Sequence, residues 1–148
     1  IDIIATDHAP HPVERKDCEW DAAAFGMVGL ESALSIAQTA LVDPGHASWA
    51  DVQRLLSQAP ARIGSLEGHP EEIRAGEAAD LVLFDPSGSS VFDTERLYGK
   101  SENSPFLGLE LSGRVHSTIR RGTLTFDHGQ LVDAETVARA AHERAVTA

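Results

Sequence analysis

The sequence predicts an α/β fold from three observations. An apolar run, Ile3-Ile4-Ala5, ends at a carboxylate; an apolar stripe at helical spacing follows it; and short β-type runs separated by turn pairs occupy the later part. The opening run is apolar on both faces, the character of a strand inside a parallel sheet covered by helices. It leads into Thr6-Asp7-His8-Ala9-Pro10-His11, so chemistry-bearing side chains collect at a strand end. A strand fixes such a side chain while the following loop admits substrate and water.

Residues 10–24 come next as a polar, charged loop in which Pro10 and Pro12 oppose an early helix. Its length exceeds that of a plain connector and suits a functional loop. Met27, Leu30, Ala33, Leu34, Ala37 and Leu41 recur at helical spacing, which predicts an amphipathic helix packed on a barrel and ending near Asp43-Pro44-Gly45. Ser48 and Asp51 then form a capping pair for a helix carrying Val52, Leu55, Leu56 and Ala59. Pro60 ends that helix or opens the next, a short helix from Pro60 to Ser65 that closes in the Gly64 region.

Gly68-His69-Pro70 and Gly76 bracket a linker. Ala79 to Pro86 reads as a strand and Ser87 to Ser90 as a turn. His116 to Arg121, Thr123 to Asp127 and Gln130 to Val132 read as a β-meander with turns at Arg121-Gly122 and His128-Gly129. Residues 134–146 are Ala-rich and predict a terminal helix with Val137, Ala140, Ala141 and Ala145 on its apolar face.

Composition narrows the function classes. At 148 residues and 42% hydrophobic, the chain is long enough for one soluble domain with a core. Ile1 lies already inside the expected strand, with no initiator Met before it, so the chain reads as a C-terminal fragment. The single cysteine, Cys18, excludes an internal disulfide framework and a Cys-rich zinc motif and fits a reducing, cytoplasmic setting. No apolar run approaches the ~20 residues that span a bilayer, so no membrane is expected. The net charge of −11 disfavours nucleic acid, because the only paired cations are short runs such as Arg15-Lys16 and Arg120-Arg121.

Asp7 is the first candidate for chemistry. A carboxylate at a strand end suits a metal ligand or general base, and the same residue type also serves there as a turn former or helix cap. His11 is either a hydrogen-bond donor to a ligand or a surface loop histidine, and His8 is expected to be structural. Gly26 either lets a ligand approach the main chain or merely opens a helix. His46, His69, His116, His128 and His142 stand singly and default to the surface. His142-Glu143 lacks the second histidine of a zinc-protease helix, Val146 standing there instead, and Cys18 is expected to be unreactive.

The run Thr6-Asp7-His8-Ala9-Pro10-His11 resembles the last-strand motif of class I dihydroorotases in the cyclic amidohydrolase superfamily. Hydantoinases and allantoinases look similar around the Thr/Ser-Asp-His core, while the second histidine, His11, favours dihydroorotase. Phe25-Gly26-Met27-Val28-Gly29-Leu30-Glu31 resembles the family's substrate loop and next helix start. Pro60-Ala61-Arg62-Ile63 resembles a later helical segment, and Ser104-Pro105-Phe106-Leu107-Gly108 a loop of the C-terminal part. The segments come in the family's order and cover most of the chain.

This resemblance implies the C-terminal portion of a (β/α)8 TIM-type barrel, then strands of a small β-sandwich domain and a terminal helix. Residues 1–66 would carry the last strand and helices of the barrel, 67–133 the β-rich domain and 134–148 the helix. It implies Asp7 as both metal ligand and catalytic proton carrier, His11 as the group that hydrogen-bonds the substrate carboxylate, and Phe25 and Gly26 as backbone contacts to the substrate ring. One or two divalent ions, usually zinc, are implied. The other ligands, a His-x-His pair, a carboxylated Lys or an Asp, and two further histidines, would precede Ile1, so the isolated chain is expected to be inactive.

The implied activity is the reversible cyclisation of N-carbamoyl-L-aspartate to (S)-dihydroorotate in de novo pyrimidine biosynthesis, in the cytoplasm. Implied partners are a small-molecule substrate, the remainder of the barrel, and either a second copy or aspartate transcarbamoylase. The alternatives are a hydantoinase- or allantoinase-like cyclic amidase and a non-catalytic dihydroorotase-like subunit. Retention of Asp7 and His11 argues against the last.

Overall fold

The computed structural model describes residues 1–69 and 72–147. In chain order the elements are α1 (Val13–Lys16), α2 (Ala33–Ala37) continued by a π-helical turn (Gln38–Val42), α3 (Trp49–Gln53) continued by another (Arg54–Gln58), and α4 (Ala59–Ile63). Then follow β1 (Leu81–Val91), a 3-10 turn (Thr94–Arg96), β2 (Glu110–Arg120), β3 (Thr123–Asp127), β4 (Gln130–Leu131) and α5 (Ala134–Thr147). The strands lie in the order β1-β2-β3-β4, with β2–β3 and β3–β4 antiparallel. Helices first and a meander afterwards make the mixed α/β fold that the hydrophobic periods predict. Contacts divide the chain into two units, Ile1–Pro60 with Pro86–Gly113, and Ala61–Asp85 with Arg114–Ala148.

In the first unit the fully buried apolar side chains are Val28, Ala37, Val52, Leu55, Phe92 and Leu111. The α3 start is built as the Ser48/Asp51 pair predicts. Ser48 Oγ accepts the Asp51 N–H at 3.2 Å and the Asp51 carboxylate accepts the Ser48 N–H at 2.9 Å, which satisfies two otherwise orphaned donors.

Four expectations for this unit need correction. Residues 1–7 form no strand, because a strand exists only through its neighbours. Here the segment meets a helical carbonyl, Ile4 N–H to Leu55 O at 2.9 Å, and makes one parallel bridge further on, His8 to Met27. The proline-bearing loop does hold a helix, α1, since Pro12 occupies its N-cap and leaves the first turn unobstructed.

The helix expected from Met27 begins only at Ala33, and its buried positions are Ser32, Ser35, Ala37 and Gln38, while Leu30 is 61% exposed. Hydrogen bonding selects that face. Ser35 Oγ donates to Gly113 O at 3.1 Å, Gln38 Nε2 to Pro86 O at 2.9 Å, and Thr39 Oγ1 accepts the Ser112 N–H at 2.9 Å. Ser87 to Ser90 is strand rather than turn. Its residues lie in β1 beside β2, and cross-strand pairing overrides local turn propensity. Gly88 has a φ of 73°, a left-handed residue within the strand that glycine takes without a Cβ penalty.

In the second unit the turn pairs behave as predicted. Arg121 and Gly122 have φ of 47° and 74°, His128 and Gly129 of 45° and 81°, the doubly left-handed geometry that matches strand twist in a tight hairpin. β2 starts at Glu110, six residues ahead of the expected His116. The short helix α4 is followed by a left-handed residue at Ser65, φ 49°, and not at Gly64. Asp133 caps the terminal helix by accepting the Thr136 N–H at 2.8 Å. Pro70 of the expected linker, and the side chains of Ala140, Ala141 and Ala145 of the expected apolar face, lie outside the described residues.

Candidate active site

The first unit gathers the predicted site residues around one loop. Residues 9 and 27 are joined by Ala9 N–H to Met27 O at 2.8 Å, which lays the 8–11 segment alongside the 24–29 loop. His11 Nε2 then lies 2.7 Å from the Phe25 carbonyl. A carbonyl can only accept, so Nε2 carries the proton and the free position of the neutral ring is Nδ1. Gly26 is required at its place: its φ is 106°, and a Cβ there would stand 2.6 Å from Ala9 Cβ and 3.6 Å from His11 Nε2.

Two residues not singled out in the sequence complete the loop. Asn103 Oδ1 accepts the His11 backbone N–H at 3.1 Å, and its Nδ2 donates to Ala9 O at 2.9 Å and Gly26 O at 3.4 Å. Its backbone carbonyl accepts Val28 N–H at 3.1 Å. Lys16 Nζ donates to Ala24 O at 2.7 Å and Gly26 O at 3.1 Å, placing a cation at the same carbonyls. Asn103 stands immediately before the quoted Ser104-Pro105 segment, a signal one residue away from the motif. Lys16 carried no sequence signal beyond its charge.

His8, expected to be structural, makes a bond within the chain. Its Nδ1 accepts the Gly29 N–H at 3.1 Å, which ties the strand-end segment to the loop. Gly29 is tightly placed, since a Cβ there would lie 3.3 Å from Thr6 O.

Asp7 sits at the start of this arrangement, exposed and with φ of 45°, a left-handed conformation that costs an L-residue about 1 kcal/mol or more. No hydrogen bond to its carboxylate is found among the described residues. It thus presents two free oxygens to solvent, as one ligand position of a metal site or a proton acceptor requires. Among the described residues no group of three potential metal ligands includes Asp7.

No family model matches the chain. It is 57% identical over 139 residues to a dihydroorotase of Leifsonia xyli subsp. xyli, covering 94% of this chain and 32% of that protein. To a dihydroorotase of Streptomyces coelicolor it is 50% identical over 131 residues, 88% of this chain and 31% of that protein. Among solved structures it resembles an L-hydantoinase (dihydropyrimidinase) from Arthrobacter aurescens, with TM-score 0.78 and 29% identity, covering 90% of this chain and 30% of that one. A D-hydantoinase from Thermus sp. gives TM-score 0.79 at 25% identity, covering 92% and 30%.

The fold shared with the hydantoinases, together with the Asp7–His11 loop, defines the class as cyclic amidohydrolase. Within that class the chain belongs by sequence to the dihydroorotase family, and it spans about a third of the length of the curated relatives it matches. That share fits the C-terminal portion of a barrel enzyme.

Proposed function

We propose that this chain supplies the proton-transfer carboxylate and the substrate-carboxylate contact of a dihydroorotase, which interconverts N-carbamoyl-L-aspartate and (S)-dihydroorotate. The observation that carries the reading is the placement of His11 against Phe25 and Gly26, because the residue assigned to the substrate's anion then adjoins those assigned to its ring. The proposed parts are 1–66 as barrel, 67–133 as β-rich domain and 134–148 as helix.

A bound divalent ion, zinc in this reading, supplies an electrophile and an acidified water. Asp7 accepts the proton of the attacking water and passes it to the amide nitrogen as the ring C–N bond breaks. In the cyclising direction Asp7 takes the proton from the carbamoyl nitrogen as that nitrogen attacks the carbon of the protonated carboxyl group, and returns it to the hydroxyl whose C–O bond breaks, which leaves as water. His11, its Nε2–H on the Phe25 carbonyl, meets the substrate carboxylate either as an imidazolium through Nδ1–H or by turning off that carbonyl. The Phe25 carbonyl accepts one bond from the chain, that of His11, and keeps a second lone pair for a ring N–H group, while the Gly26 carbonyl accepts from both Lys16 and Asn103 and would have to give up the longer of these to meet the ring.

A hydantoinase-like cyclic amidase is the second reading, favoured by the similarity to the hydantoinase structures described above. His11→Ala in the whole protein separates the two. Loss of a hydrogen bond to a charged group, roughly 1.5–3 kcal/mol, lowers kcat/KM for dihydroorotate about ten- to a hundredfold. Dihydrouracil, lacking the carboxylate, loses little on the same substitution. Equal losses on both compounds overturn the assignment, and no turnover by the metal-loaded wild type favours a non-catalytic subunit. A cytoplasmic setting, and association with a second copy or with aspartate transcarbamoylase, belong to this reading through the family likeness alone.

A further inference from the structure

His116 and His128 read from sequence as single surface histidines and Asp127 as the end of a strand, yet the second unit brings the three together. One nitrogen of each imidazole and one Asp127 oxygen lie within 4.8 Å of one another. Backbone pairing causes this. Ser117 is the cross-strand partner of Asp127, and the β3–β4 turn hooks back through His128 N–H to His116 O at 2.9 Å. The imidazoles meet edge to face with centroids 4.0 Å apart, and His128 Nε2 lies 4.0 Å from Asp127 Oδ2.

A hydrogen-bonded chain sets the tautomer. Ser117 Oγ–H donates to Asp127 Oδ1 at 2.6 Å, and the carboxylate can only accept. The one hydroxyl proton is therefore used, so the 2.7 Å contact between Ser117 Oγ and His116 Nδ1 has the imidazole as donor. His116 Nε2 then keeps its lone pair. This is the outer-shell pattern that orients a metal-bound histidine, a ring N–H anchored so that the opposite nitrogen is free. With Asp127 Oδ2 and His128 Nε2, which lie 4.0 Å apart, that nitrogen would make a nitrogen, nitrogen, oxygen set.

We propose that His116, Asp127 and His128 form a site for one divalent transition ion of the zinc type, distinct from the Asp7 loop. Imidazole with carboxylate suits zinc, nickel and copper, and three protein ligands leave a position for water. Ligand atoms of a tetrahedral zinc site stand about 3.4 Å apart for bonds of about 2.1 Å, so the set must contract modestly. His128, with a side chain 71% exposed, is free to close that gap while His116 and Asp127 hold still. The net charge of −11 raises the local concentration of cations around the chain.

The test is zinc stoichiometry and affinity of the whole protein by titration, with cobalt as a spectroscopic substitute. His128→Asn is the main variant, since Asn also tolerates the left-handed conformation of this turn. Removal of one bound equivalent by His128→Asn, with turnover of dihydroorotate unchanged, is the expected result. Asp127→Asn keeps an acceptor for Ser117 and weakens that same equivalent at least about tenfold, and Ser117→Ala, acting through orientation, weakens it about tenfold. Asp7→Asn leaves this equivalent in place, which separates the site from the catalytic reading. Imidazole nitrogen shifts report zinc on Nε2 of His116, with Nδ1 still protonated. Unchanged stoichiometry and affinity in His128→Asn, or zinc on Nδ1 of His116, overturns the proposal.

Discussion

Asn103 holds His11 from across the chain: its Oδ1 accepts the His11 backbone N–H at 3.1 Å, and through Nδ2 it also binds the Ala9 carbonyl at 2.9 Å. One half-buried amide therefore spans the turn on which the site histidine rides. Asn103→Ala deletes these two bonds and the longer one to the Gly26 carbonyl and leaves the partners to water, at about 1–2 kcal/mol. Asn103→Asp keeps the acceptor and lacks the donor, and is expected to fall between. Urea denaturation of the three proteins measures the order, and an Asn103→Ala variant as stable as wild type would contradict this role.

Gly26→Ala meets two obstacles at once. The φ of 106° disfavours any L-residue, and the new methyl would overlap Ala9 Cβ at 2.6 Å. The expected destabilisation is about 2–3 kcal/mol, together with loss of the His11 to Phe25 contact. Thermal unfolding gives the first, and the imidazole proton shift of His11 gives the second.

Asp7→Asn in the whole protein lowers kcat by at least about a hundredfold, since an amide cannot accept the proton of water. Metal content is measured on the same sample. Near-normal turnover with normal metal would remove Asp7 from the reaction. The substitution leaves fold stability unchanged or raises it slightly, because Asn adopts the left-handed φ of 45° more readily than Asp's neighbours in the β-branched class and at little cost relative to Asp itself.

The α3 cap makes stability depend on pH. The Ser48 hydroxyl first, and then the Ser48 backbone N–H, hold the Asp51 carboxyl below the usual carboxylate range. A folded value lower than the unfolded one stabilises the native chain above the unfolded value, and the contribution fades as pH falls through the lowered folded value. Ser48→Ala removes the larger cause. The stability gap between wild type and Ser48→Ala is therefore expected to be constant at neutral pH and to shrink only in strong acid. A gap that widens with acidification would reverse the sign.

The local signals in the sequence sufficed wherever short-range chemistry decides. The Ser48/Asp51 cap, the Arg121-Gly122 and His128-Gly129 turns, β3 and the terminal helix all rest on bonds between near neighbours, and each is found. The motif from Thr6 to His11, with Phe25 and Gly26, likewise named residues that the loop does join. Tertiary structure alone decided the rest. Asn103 bonds a residue 92 positions away, and no local pattern encodes such a partner. The helix buries Ser35 and Gln38 because distant carbonyls at Gly113 and Pro86 need donors, which outweighs the apolar period around Leu30. His116 and His128 stand 12 residues apart in the sequence, and only the antiparallel register of β2 and β3 makes their rings touch. Periodicity reports which face can be buried; pairing between remote backbone groups determines which face is.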